Sequence, residues 1–152
     1  VVLLGGRSDS ERKMADAILE LAPDAHCLDL VGKDTLKQML ALLSRMTAVV
    51  SPDAGPTHLA SALGVPVIGL HAATDPRRSG PYRSLQWCVN RFPDVVKRQR
   101  GLELEQVRWS TRIEFPGVMD IIEIDEVLAT LDRLLASPVE QRLAPARLRR
   151  DP

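Results

Sequence analysis

At 152 residues, 45% of them apolar and with Lys plus Arg matching Asp plus Glu at 20 each, the chain has the profile of one globular domain with a core of its own. Zero net charge argues against a general nucleic-acid binder, and 3% aromatics leaves no stacking platform for single strands. No apolar run approaches the ~20 residues of a membrane span, no signal-peptide pattern is present, and the isolated Cys27 and Cys88 form no CxxC, which favours a reduced, cytoplasmic setting.

The chain starts at Val1, already inside a strand-like run, from which we expect a piece of a longer protein. Val1–Leu4 reads as a buried strand entering Gly5-Gly6. Ser8 with Glu11 three residues on has capping-box spacing and opens a helix to about Leu21, its apolar face being Met14, Ala17, Ile18 and Leu21. Two glycines before a helix suit a phosphate loop and a tight strand-to-helix turn equally well. Arg7 and Glu11 lie where a nucleotide can meet them, Glu11 at ribose hydroxyls; the alternative is a solvated first turn. Ala25–Leu30 gives the next strand, and Asp34 or Thr35 caps a helix with Leu36, Met39, Leu40 and Leu43 in one stripe. Lys33, before that helix, is either a phosphate contact or a solvated lysine.

Thr47–Val50 is β-branched and apolar, a third buried strand that Pro52 ends because it lacks an N–H for the ladder. Asp53 is placed as N-cap and Pro56 in the first turn of a helix over Thr57–Leu63, with Gly64 as its C′ residue. Val65–Leu70 is the following strand. So short a strand–helix–strand unit makes the two strands parallel, which puts the loops Pro52–Thr57 and His71–Pro81 at one carboxyl edge, where open α/β sheets bind ligands. The helix start behind Gly55 offers unpaired N–H groups to an anion such as a diphosphate. Asp53 must then cap the helix or face sugar hydroxyls, since a carboxylate turned toward phosphate is repelled.

The His71–Pro81 segment is long and rich in Pro and Gly, which leans functional. Its Arg77 and Arg78 suit an anionic acceptor or phosphate, or else a solvated loop tip. Leu85–Val89 reads as a strand, Pro93 opens a short helix ending near Gly101, and 101–117 reads mainly as loop. A closing helix runs from about Asp125 to Ala136 and buries Val127, Leu128, Leu131, Leu134 and Leu135. The strand–helix alternation gives an α/β fold with a doubly wound parallel sheet over residues 1–138. The tail 139–152, with Arg142, Arg147, Arg149 and Arg150, is expected to be poorly ordered, with at most peripheral contact with an anionic membrane.

Asp53-Ala54-Gly55-Pro56-Thr57-His58-Leu59-Ala60, Ala62-Leu63-Gly64-Val65-Pro66, Thr74-Asp75-Pro76 and Gly80-Pro81-Tyr82 together resemble glycosyltransferase family 9, which contains the ADP-heptose:lipopolysaccharide heptosyltransferases. The Gly5-Gly6 turn and the Gly32-Lys33-x-x-Leu36 segment fit it too, so the likeness covers about residues 1–136. It implies the Rossmann-like C-terminal half of a GT-B enzyme. The sequence shows no metal-ligand cluster, from which a metal-independent reaction is expected. Asp53 would touch the donor sugar, Ala54, Gly55, Pro56 and Thr57 would line the phosphate site, and His58, Thr74 and Asp75 would lie beside them. The implied reaction is an inverting transfer of a heptose-like sugar from an ADP-sugar or other nucleoside-diphosphate sugar to a lipopolysaccharide-core or similar glycan. The implied setting is the cytoplasm or the inner face of its membrane.

Ala54 departs from the family's usual Ser or Thr and removes a hydroxyl from that loop. The general base and the other wall of the cleft are expected in an N-terminal domain outside this chain. Two other classes compete: a GT-B sugar-nucleotide epimerase, acting without an acceptor, and a catalytically inert nucleotide-binding fragment.

Overall fold

Short parallel strands alternate with helices in the computed structural model, which describes residues 1–144; Arg147, Arg149 and Arg150 of the tail lie outside the described residues. The chain divides into two units, Val1–Leu42 and the part from Leu43 onward.

In the first unit β1 (Val2–Leu3) pairs in parallel with β2 (Leu28–Asp29), Val2 opposite Leu28, and α1 (Asp9–Leu21) is the connection between them. Ser8 caps α1, its Oγ accepting from the Glu11 N–H at 3.3 Å. The apolar face expected on α1 is not the buried one. Ala15 is buried and Arg12 and Leu19 are half-buried, whereas Met14, Ala17, Ile18 and Leu21 are exposed. The cause is electrostatic. Arg12 Nη1 donates to both carboxylate oxygens of Asp29, at 3.0 and 3.1 Å, turning the Arg12–Ala15–Leu19 side of the helix inward. Lys33 also holds Asp29, at 2.6 Å. The Lys33 contact, with the Val31 N–H and Arg12, lowers the Asp29 carboxyl to about 2. Lys33 thus has an internal partner. The helix α2 (Leu36–Leu43) opens with a reciprocal Thr35–Gln38 contact, Gln38 Oε1 accepting the Thr35 N–H at 2.9 Å.

The second unit is built on a sheet of β3 (Val49–Pro52), β4 (Val67–His71) and β5 (Val89–Asn90), in that order and parallel throughout. The α/β fold with parallel pairing expected of a Rossmann-like half is what the chain adopts, with its strands in two sheets. Pro52 closes β3 opposite Leu70, and α3 (Gly55–Ala62) is the crossover to β4. Gly64 takes φ +76° behind α3, the left-handed conformation a helix stop favours. After β4 come α4 (Pro76–Ser79), a 3-10 turn at Leu85–Trp87 where a strand was expected, then β5. The turn wins because the Trp87 and Cys88 N–H groups return to the Ser84 and Leu85 carbonyls, leaving only Val89 and Asn90 for the ladder.

The helix α5 (Phe92–Arg100) ends at Gly101, and α6 (Ile124–Ala136) lies against the sheet. One core cluster joins Ile68, Trp87, Val89 and Leu134, with Val127 and Leu131 against it; a second joins Ala72, Phe92, Val95, Val96 and Ile113. Leu128 and Leu135, expected inside, are 52% and 46% exposed, because α6 is rotated to bury Thr130 between Val127 and Leu134. Of the tail, Arg142 accepts from the Trp87 indole at 2.8 Å and the Ala144 N–H reaches the Arg83 carbonyl at 2.8 Å. No helix among the described residues is long and apolar enough to cross a membrane.

Replacing Phe92, 1% exposed, by Ala should cost about 3–5 kcal/mol in urea unfolding, while Leu128→Ala, on the outward face of α6, should cost under about 1 kcal/mol. Equal losses would show that α6 packs with the other face inward.

Candidate active site

The parallel register sets the site. With Pro52 opposite Leu70, the residue after β3 lies level with the end of β4, so the two loops that follow meet at one sheet edge. Asp53 is where they join. Its Oδ2 accepts from the Thr74 hydroxyl at 2.7 Å and the Ser79 hydroxyl at 2.6 Å, and its Oδ1 lies 3.4 Å from His58 Nε2. Burial alone would raise this carboxyl, but the Ser79 and Thr74 hydroxyls, with His71 and His58 nearby, bring the net shift below the ordinary aspartate value. Asp53 is therefore an ionised group fixed in orientation.

Asp53 is not the N-cap the sequence suggested. Ala54 occupies that position in extended conformation and makes no side-chain cap, because the carboxylate is held by the opposite loop. Thr57 is buried, its hydroxyl donating to the Pro52 carbonyl at 2.5 Å and its N–H to the Ala54 carbonyl at 3.1 Å. It locks the helix start to the strand end. The first turn of α3 is thus left without a side-chain partner for its amides.

Gly55 at that turn is exposed and has an ordinary negative φ, and a Cβ built on it meets nothing within 4 Å. Neither backbone conformation nor internal packing accounts for a glycine there. The other loop glycines differ. A Cβ on Gly6 would lie 2.9 Å from Glu11 Oε2, and one on Gly5 3.2 Å from Val31 Cγ1. Glu11 accepts from the Gly6 N–H at 2.8 Å and the Ser8 hydroxyl at 2.5 Å, the Ser8 contact first among the causes holding its carboxyl below the usual value. Packing against Val31 constrains Gly5, whereas the group nearest a Cβ on Gly6 is the carboxylate end of the exposed, flexible Glu11 side chain.

Thr74 and Asp75 are 3% and 4% exposed, although they sit in a loop. Asp75 caps α4 by accepting the Arg77 N–H at 2.9 Å, and it clamps the Arg77 guanidinium at 2.8 and 2.9 Å. Arg77 in turn lies over the Trp109 ring, 5.9 Å from its centroid.

Two members of the site carried no assigned role in the sequence: Ser79 and His71. His71 is 1% exposed, its Nδ1 is 3.4 Å from Thr74 Oγ1, and its Nε2 has no hydrogen-bond partner among the described residues. The Thr74 hydroxyl has one proton and gives it to Asp53, so Nδ1 is the donor and Nε2 is unprotonated. Burial is the leading cause keeping His71 below its ordinary value of 6.5, against the opposing pull of Asp53, Thr74 and Asp75. A histidine inside an otherwise apolar strand was the available signal. Gly69 makes room for it: a Cβ there would lie 2.9 Å from His71 Nε2 and 3.0 Å from Cys88 Sγ. Burial also raises the Cys88 thiol to about 11.

The sequence model of glycosyltransferase family 9 (heptosyltransferase) matches residues 1–106, which contain both the Gly5-Gly6 turn and the Asp53–Tyr82 loops. The chain belongs to that family. It is 34% identical over 106 residues to the lipopolysaccharide core heptosyltransferase OpsX of Haemophilus influenzae, covering 70% of this chain and 30% of the relative. It is 33% identical over 102 residues to the lipopolysaccharide heptosyltransferase 2 of Escherichia coli, covering 66% of this chain and 29% of the relative. A lipooligosaccharide heptosyltransferase 2 of Haemophilus influenzae is 26% identical over 132 residues, 85% of this chain and 38% of that protein. The chain therefore spans well under half the length of these curated relatives. No solved structure matches it. Of the residues the family likeness singled out, the second unit brings Asp53, Ala54, Gly55, Pro56, Thr57, His58, Thr74 and Asp75 to one edge. Gly5, Gly6 and Glu11 gather in the first unit.

Unfolding frees His71 to take a proton that the fold resists, so the unfolded state binds more protons as pH falls below 6.5 and the fold loses stability there. Denaturant titrations should show this loss in the wild type and a flatter profile in His71→Phe. Gly69→Ala should cost about 1–3 kcal/mol in the same titrations by displacing the imidazole.

Proposed function

We propose that this chain is the donor-binding half of an inverting glycosyltransferase that moves a heptose-like sugar from a nucleoside-diphosphate sugar to a lipopolysaccharide-core or similar glycan. The observation that carries the reading is Gly55, a glycine required by nothing inside the protein, at a helix start with no side-chain cap. Close approach of a ligand's phosphates explains it.

In this reading the acceptor hydroxyl attacks the anomeric carbon, the bond from that carbon to the phosphate oxygen breaks, and the nucleoside diphosphate leaves with the bonding electrons. The preorganised dipole of α3 stabilises the charge growing on the phosphates. Ala54, Gly55 and Pro56 form the seat, with Thr57 holding its shape. Asp53 accepts hydrogen bonds from the donor sugar, its orientation set by Thr74 and Ser79, while Asp75 shapes the α4 turn beside it. His58, 48% exposed beside Asp53, is placed to meet the donor as well. Gly5, Gly6 and Glu11 enter the proposal by family likeness alone. The base that takes the acceptor's proton belongs to an N-terminal domain outside this chain, and the setting is the cytoplasmic face of the membrane carrying the glycolipid acceptor.

A thermal-shift panel of ADP, UDP, GDP and their sugars tests the seat. A ligand at 100 times its Kd stabilises by about 2.7 kcal/mol, or about 5–10 °C for a domain of this size. Gly55→Val should melt like the wild type without ligand and lose that shift. An undiminished shift in Gly55→Val would place the nucleotide elsewhere.

A further inference from the structure

His71 closes β4, a strand otherwise made of Val67, Ile68, Gly69 and Leu70, and it is 1% exposed. A buried ring nitrogen without a partner is destabilising, and His71 Nε2 has none among the described residues. A Cβ on Gly69 would lie 2.9 Å from that nitrogen, so the strand leaves a side chain out to admit the ring. An apolar residue would fill the position at less cost. What the histidine supplies must come from its other nitrogen.

Nδ1 faces Thr74 Oγ1 at 3.4 Å. The Thr74 hydroxyl has one proton and gives it to Asp53 Oδ2 at 2.7 Å. With Nδ1–H donating into its oxygen, that hydroxyl points its proton away from the ring and toward the carboxylate. The three groups form a relay in one direction, from His71 Nδ1–H to the Thr74 O–H to Asp53, and each donation strengthens the next. The opposite tautomer would make Nδ1 an acceptor and draw the Thr74 proton away from Asp53. The Ser79 hydroxyl reaches the same carboxylate oxygen at 2.6 Å. Oδ2 is thereby occupied twice, and Oδ1, 3.4 Å from His58 Nε2, is the oxygen left to a ligand.

We infer that His71 is a positioning residue for the donor sugar, setting the direction of the Asp53 carboxylate through Thr74. This rests on the donor reading above. His71 is too deeply buried to touch a ligand itself. Asp53 is the group that meets sugar hydroxyls, so loss of the imidazole donor weakens the hold on the sugar and leaves the phosphates at the α3 seat unaffected.

Long-range ¹H–¹⁵N correlation spectra of the ¹⁵N-labelled chain at neutral pH should show the His71 proton on Nδ1 and a bare Nε2; a proton on Nε2 alone overturns the inference. Affinities for ADP-heptose and ADP are then compared in wild type, in His71→Phe, which keeps the bulk, and in His71→Asn, whose amide N–H takes the place of Nδ1–H. His71→Phe should bind ADP-heptose about three- to tenfold more weakly, the worth of one hydrogen bond. His71→Asn should restore most of that loss, and ADP should bind all three alike. In a Thr74→Val background His71→Phe should add nothing, because the two residues act in one relay. Full ADP-heptose affinity in His71→Phe, an equal loss for ADP, a folded His71→Asn as weak as His71→Phe, or additive losses with Thr74→Val overturns the inference. The ligand-free readout is the Asp53 carboxyl, followed by ¹³C NMR against pH. Its pKa should rise in His71→Phe, since a hydrogen bond to the ionised form is weakened, and should not rise further when that change is added to Thr74→Val. His58, the other titratable group beside Asp53, is present in every variant and cancels from the comparison. A rise that survives in the Thr74→Val background is a through-space effect of the imidazole and overturns the relay. A wild type that binds neither ADP nor ADP-heptose sinks the donor reading, while an Asp53 pKa unmoved in His71→Phe sinks the relay independently of it.

Discussion

The site depends on one carboxylate. Asp53 follows β3, and the two hydroxyls that hold it, Thr74 and Ser79, follow β4. Parallel strands bring their carboxyl ends together, but nothing in that geometry prevents the two loops from moving independently. The shared Asp53 contacts couple them. Two O–H donors on one oxygen keep the group ionised and fix its direction, which leaves the other oxygen toward His58. Thr57 does the same for the helix, tying α3 to the Pro52 carbonyl. Side chains, not the backbone ladder, close the loop.

Most of the fold was legible from residue patterns, and the departures share a cause. The positions of the first four strands, the Ser8 cap, the Gly64 and Gly101 stops and the strand–helix–strand crossover follow from local chemistry. The buried faces of α1 and α6 did not, because apolar periodicity alone does not know about partners. Arg12 turns α1 toward Asp29, and Thr130 sits inside α6 where Leu128 was expected. Cys88 and its neighbours looked strand-like, yet the turn from Ser84 had the shorter route to satisfied amides.

The site was legible as a set of positions and less so as a set of roles. The Asp53–His58 block and the Thr74-Asp75 pair stood out in the sequence. That Asp53 would leave the helix uncapped was not visible, since its partners lie 21 and 26 residues away. Nor did the glycines separate themselves. Gly5-Gly6 and Gly55 look alike as letters, but in the fold one pair makes room for Val31 and Glu11 and the other residue makes room for nothing in the chain. His71 was hidden for the opposite reason: one polar residue in a buried strand is read as noise until its hydrogen bond is seen.

The thiol of Cys88 has a use of its own. Alkylating reagents attack thiolate, and a group raised to about 11 by burial supplies almost none at neutral pH. The side chain is partly buried, and a Cβ built on Gly69 of the central strand would lie 3.0 Å from its sulfur. The rate at which iodoacetamide labels Cys88, set against that of a free thiol, therefore measures how far its surroundings hold back the thiolate, with no introduced probe.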